Sequence, residues 1–170
     1  VVLGVTAFHL SVRAAVDDHI LVRSPGQTGY RFRHEILRSL VAAQLLRGET
    51  QRVHAAYAQA LAEGPPDHRN ATEIASHWDA AGEPARALVA HLTAAHAAGA
   101  IYAYDEARRH FWRTLELWDE VPGAEELVSL PRTTILAAAA SATAKAGDLR
   151  RAIDLTRALM ADPGAAEAYF

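Results

Sequence analysis

The chain has 170 residues, 51% of them hydrophobic and 22% charged, a globular balance that excludes disorder over most of its length. It has no cysteine, which excludes disulfides, thiolate metal sites and cysteine nucleophiles. Its net charge of −3 argues against non-specific attraction to nucleic acid or to an anionic membrane.

No apolar run reaches the roughly 18–20 residues of a membrane span, and no signal-peptide pattern opens the chain. The expected setting is therefore cytoplasmic. Alanine fills 38 of the 170 positions, and as the strongest helix former it points to an all-α body. Lys145 is the one lysine among 17 basic residues, a skew that fits a GC-rich genome better than phosphate chemistry. A start on Val1 and an end within Ala165–Phe170 suggest a piece of a longer protein.

The first segment mixes two periods. Val5–Val16 carries Phe8, Val12, Ala15 and Val16 at helical spacing, closed by Asp17 and Asp18. Ile20, Leu21 and Val22 then form a short apolar run, Ser24–Gly29 a turn cluster, and Tyr30–Arg33 an alternating run. This predicts a β-hairpin. Helical period returns through Ile36, Leu37, Leu40, Val41 and Leu45, with Gly48 expected as a left-handed stop. Helix, hairpin and helix in this order read as the C-terminal part of a winged helix, residues 1–47.

Residues 48–170 read as helices only. The pattern predicts helices over Gln51–Glu63, Asn70–Ala81, Pro84–Ala98, Tyr102–Asp119, Pro131–Ala146 and Leu149–Ala161. Gly64-Pro65-Pro66 breaks the first, Asn70 and Glu73 suit a capping box, and Pro84 suits a first turn. Pro122–Leu130 reads as an insertion, and Asp162-Pro163 as the start of a further helix. Trp78–Leu88 is echoed by Thr143–Ile153 at a shift of 65 residues, with Gly82 aligned on Gly147. That shift is near two repeats of about 34 residues, so the segment is expected to be an irregular, tetratricopeptide-like helical repeat array.

Catalytic constellations are missing from the sequence. The lone Lys145 sits in Ala-Lys-Ala-Gly rather than a phosphate-binding loop. No histidine pair brackets a glutamate as zinc proteases require, and His91 and His96, five apart, leave a common helix face. No Gly-x-Ser-x-Gly elbow exists. Glu125-Glu126 and Asp17-Asp18 are sequence neighbours that do not face each other on a helix. No metal site and no enzyme activity are expected of this chain. Direct DNA reading is not expected either, because the first helix offers His9, Ser11 and Arg13 and ends in two aspartates.

Tyr30–Arg38 stands out, because a strand runs straight into a helix start carrying Arg33 and His34. Helix starts favour anions through their free N–H groups. The alternative is that His34 caps or packs locally while Arg33 faces solvent.

Tyr30-Arg-Phe-Arg-His-Glu-Ile-Leu-Arg38, Leu45–Glu49, Val53–Ala58 and His77–Leu88 together resemble the large LuxR-family regulators of actinobacteria. That resemblance covers nearly the whole chain. It implies a signal-transducing AAA-type ATPase with a nucleotide-binding module upstream, a winged helix, a tetratricopeptide-like array and a DNA-binding output. It also implies ATP or ADP in the intact protein, with His34 and Arg33 as phosphate contacts. The Phe-Arg-His stretch is similar to that of ATPase modules fused to cyclases as well. The array is then expected to bind an unknown protein or small-molecule inducer, with His77, Trp78, His91, Tyr102, Tyr104, Phe111 and Trp112 as candidate ligand-facing positions. The competing expectation is a purely structural scaffold in which these aromatics pack between helices.

Overall fold

The computed structural model describes residues 5–24, 29–64 and 67–161. Among them the fold is all-α with one short hairpin, in the order α1 (Val5–Asp17), β1 (Leu21–Arg23), β2 (Tyr30–Phe32), α2 (Glu35–Gln44), α3 (Arg47–Ala62), α4 (His68–Ala81), α5 (Pro84–Ala100), α6 (Tyr104–Glu120), α7 (Ala124–Val128), α8 (Arg132–Lys145) and α9 (Leu149–Ala161). Pro25–Thr28 of the expected turn, Pro65-Pro66 of the expected break and the helix start expected at Asp162-Pro163 lie outside the described residues.

The chain divides into two compact units, Val1–Glu49 and Thr50–Phe170. In the first, β1 and β2 pair antiparallel with Leu21 opposite Phe32, Val22 opposite Arg31 and Arg23 opposite Tyr30. The α2 helix buries no residue, and Ile36, Leu40 and Val41 stay exposed. Gly48 does not end this helix. α2 stops at Gln44 with Leu45 in extended conformation, and Gly48 lies in the first turn of α3. Glu49 accepts from the Leu46 N–H at 2.9 Å, the reach-back contact of a capping box, so a new helix opens here and takes Gly48 into its first turn.

In the second unit α5 packs on α4 and α6, α6 on α8, and α8 on α9. Fully buried alanines (Ala58, Ala75, Ala87, Ala95, Ala107 and Ala139) remove side-chain bulk where the helices approach. One core cluster joins Ala75 and Trp78 of α4 to Leu88 of α5 and Leu117 of α6. A second joins Leu92 of α5 and Phe111 of α6 to Ile135 of α8 and Leu155 of α9.

Three local expectations change. The first residue to cap α4 is Asp67, whose side chain accepts from the Arg69 N–H at 3.3 Å; the helix therefore begins before the expected box at Asn70 and Glu73. The Pro122–Leu130 insertion contains the short α7, bounded by Gly123 and Ser129 at φ of 72° and 55°. Tyr102 lies outside α6, at φ 63°.

The sequence echo is a repeated turn. Glu83 N–H donates to Trp78 C=O (3.2 Å) and Gly82 N–H to Asp79 C=O (3.0 Å). Sixty-five residues on, Asp148 N–H donates to Thr143 C=O (3.1 Å) and Gly147 N–H to Ala144 C=O (3.0 Å). Both are Schellman turns with the glycine left-handed, at φ 71° and 91°. The echoed arginines match too. Arg86 lies over Trp78 at 4.7 Å and Arg151 over Trp112 at 4.5 Å.

Candidate functional site

The second unit carries an open, mostly apolar groove of about 720 Å³. The spacing of two helices builds it. Ala71, Ile74 and Trp78 form one stripe of α4, and Arg86, Val89, Ala90, Thr93 and Ala97 one stripe of α5. The opposite stripe of α5, with Ala87, His91, Ala94 and Ala98, is buried. α5 is thus apolar on two faces, one in the core and one lining the groove. Leu61 at the end of α3 and Leu127 of α7 close the remaining walls.

Polar groups in the groove are few. Trp78 is 7% exposed, with the Arg86 guanidinium on its ring. Asp67 pairs with His68 at 2.9 Å. Thr93 Oγ1 donates to the Val89 carbonyl at 2.9 Å, so its hydroxyl is left as an acceptor. An apolar recess of a few hundred Å³ with a few polar groups is the ordinary form of a small-ligand site.

A polar network lies on the other side of α5. Asp79 of α4 accepts from His91 Nε2 at 2.8 Å and from Arg113 at 3.0–3.3 Å. Arg113 also donates to Glu116 at 3.0 Å. His91 Nδ1 meets His110 Nδ1 at 2.8 Å. His110 Nε2 lies 3.3 Å from Thr72 Oγ1, which donates to Glu106 at 2.7 Å. Burial pushes the pKa of His91 and of His110 down, against the pull of Asp79 on His91 and of Glu106 on His110. Burial works to raise Asp79, but the hydrogen bonds from Arg113 and His91 outweigh it and hold it low. The Asp79–His91 contact is therefore a hydrogen bond from a neutral ring, not an ion pair, near neutral pH. This network ties three helices together and exposes no reactive atom to the groove.

The seven positions expected to face a ligand do not share one surface. Trp78 floors the groove. His77 pairs with His54 (Nδ1 to Nδ1, 2.8 Å) and stacks on Tyr57; burial, then His54, lowers its pKa. His91 belongs to the buried network and does not face a ligand surface. Phe111 is in the core at 5% exposure, with His96 edge-on to its ring. Trp112 lies under Arg151. Tyr104 lies under Lys145 at 5.3 Å, and Tyr102 is 77% exposed. The groove residues Ile74, Arg86, Val89, Ala90 and Thr93 escape a search built on aromatics. Ile74 lies on α4 and the other four on α5, whose second apolar stripe is the signal in the sequence.

In the first unit His34 is the N-cap residue of α2, with φ −127° and ψ 135° and no side-chain capping bond. It and Arg33 are exposed. The neighbouring Glu35 pairs with Arg38. Among the described residues no group of three or more His, Asp or Glu could hold a metal ion, and no helix is long and apolar enough to cross a membrane.

No protein family, curated protein or solved structure matches this chain.

Proposed function

We propose that the chain is a cytoplasmic regulatory and interaction segment of a multidomain, ATP-dependent regulator of the LuxR type. Residues 1–47 act as the C-terminal part of a winged helix that closes on a nucleotide-binding module in cis. Residues 48–170 recognise a partner or inducer. The observation that carries this reading is the groove between α4 and α5, a recess of small-ligand size on a helical array without a catalytic constellation. The exposed His34 at the strand-to-helix junction, free of capping duty, supports the nucleotide half. Coupling between the halves requires a ligand with different affinity for the two states of the switch.

The groove half is tested by thermal shift of the 170-residue chain against a library of small organic molecules. Ligands are expected to raise the Tm of the wild type and not of Thr93→Trp, which plugs the groove from an exposed position. Hits that act equally on both proteins would contradict it. The nucleotide half is tested by ADP co-purified with the longer regulator. His34→Ala is expected to lose ADP, and unchanged retention would make His34 structural.

A further inference from the structure

The charge inside the groove narrows what it takes. Three lining residues are charged or ionisable: Asp67, His68 and Arg86. Asp67 and His68 are engaged with each other, and Asp67 also holds the Arg69 N–H. Arg86 has no carboxylate partner among the described residues; its contact is the face of Trp78 at 4.7 Å. A guanidinium stacked on a ring engages through its face and keeps its N–H donors free in the plane. Those donors match a carboxylate, which can take two of them at once.

Along α5 the lining runs from Ala85 to Ala97, about 18 Å at 1.5 Å per residue. The groove offers about 720 Å³, in the range of small-molecule sites.

We propose that the groove binds an elongated apolar molecule ending in a single carboxylate, its body along Ile74, Val89 and Ala90 and its carboxylate on the Arg86 fork. This rests on the reading of the groove as the recognition site and adds the class of ligand. The test uses the 170-residue chain with decanoate and decan-1-ol as probes, followed by tryptophan fluorescence and thermal shift. Decanoate is expected to bind about tenfold tighter or more, as a charge-assisted pair does. Arg86→Gln is expected to erase that difference by weakening decanoate about tenfold more than decan-1-ol. Thr93→Trp is expected to weaken both probes.

Equal affinity for the two probes, or a preference that survives Arg86→Gln, overturns the carboxylate assignment and leaves the groove standing. Binding of an amphipathic helical peptide that Thr93→Trp blocks, without binding of decanoate, overturns the small-molecule class. If neither the probes nor such a peptide binds, or if they bind Thr93→Trp as well as wild type, the groove reading itself falls.

Discussion

His91 and His110 meet nitrogen to nitrogen, and that contact fixes the tautomer of both rings. Asp79 is an acceptor, so His91 carries its proton on Nε2 and presents a bare Nδ1. A neutral His110 then donates from Nδ1 and keeps Nε2 as an acceptor, which the Thr72 hydroxyl serves only by turning its single proton from Glu106 to the ring. Both rings are neutral near pH 7, since burial holds their folded pKa below the ordinary 6.5. A histidine depressed by folding stabilises the native state above its unfolded pKa and loses that contribution as pH falls through the folded value. His77 is depressed in the same direction. The Tm is therefore expected to fall as pH drops from 7 toward 5, and His91→Asn/His110→Asn to flatten that slope. A Tm that rises in this window would contradict the neutral pair. None of this was legible in the sequence. His91 and His110 are 19 residues apart on different helices, so no spacing rule connects them, whereas the separation of His91 from His96 on one helix followed from turn geometry alone.

At the scale of elements, the turns carry the clearest link between sequence and structure. The 65-residue echo marked Gly82 and Gly147, and both close Schellman turns. A Cβ at Gly147 meets nothing within 4 Å, whereas at Gly82 it would come 2.7 Å from Gln51 Nε2. Gly147→Ala is expected to cost about 1 kcal/mol from backbone strain alone. Gly82→Ala should cost somewhat more, because Gln51 must also move; urea melts of the two variants check the order. A third turn of this kind ends α5. Ala103 N–H donates to Ala98 C=O at 2.9 Å, and Tyr102 N–H to Gly99 C=O at 3.1 Å. Here the left-handed residue is Tyr102 at φ 63°, and no glycine flags it, which is why the sequence extends α6 through it. Tyr102→Gly is expected to stabilise by about 0.5–1 kcal/mol, since relief of strain exceeds the added chain entropy. The cap of α4 is likewise hidden in the sequence: Asp67 follows directly on two prolines, whereas Asn70 and Glu73 offer the more familiar pattern.

At the scale of the whole molecule, the all-α class and the helix–hairpin–helix order of the first unit follow from alanine content and from the change of period near Ile20. The site does not follow so easily. The seven aromatic and histidine candidates scatter: Phe111 and Trp112 belong to one core cluster and Trp78 to the other, Tyr102 is exposed, and of the seven Trp78 alone lines the groove. A helix that is apolar all round can be buried on every side or can carry an open face, and sequence alone does not separate the two. The central claim is that the α4–α5 groove is where this array recognises its ligand. Trp78, Trp112 and Trp118 are the three tryptophans, and each gives its own indole N–H signal in a two-dimensional ¹H–¹⁵N spectrum. On titration with decanoate, the Trp78 signal is expected to shift in proportion to occupancy while those of Trp112 and Trp118 stay in place. A shift led by Trp112 or Trp118, with Trp78 unmoved, would contradict the claim and put recognition elsewhere on the array.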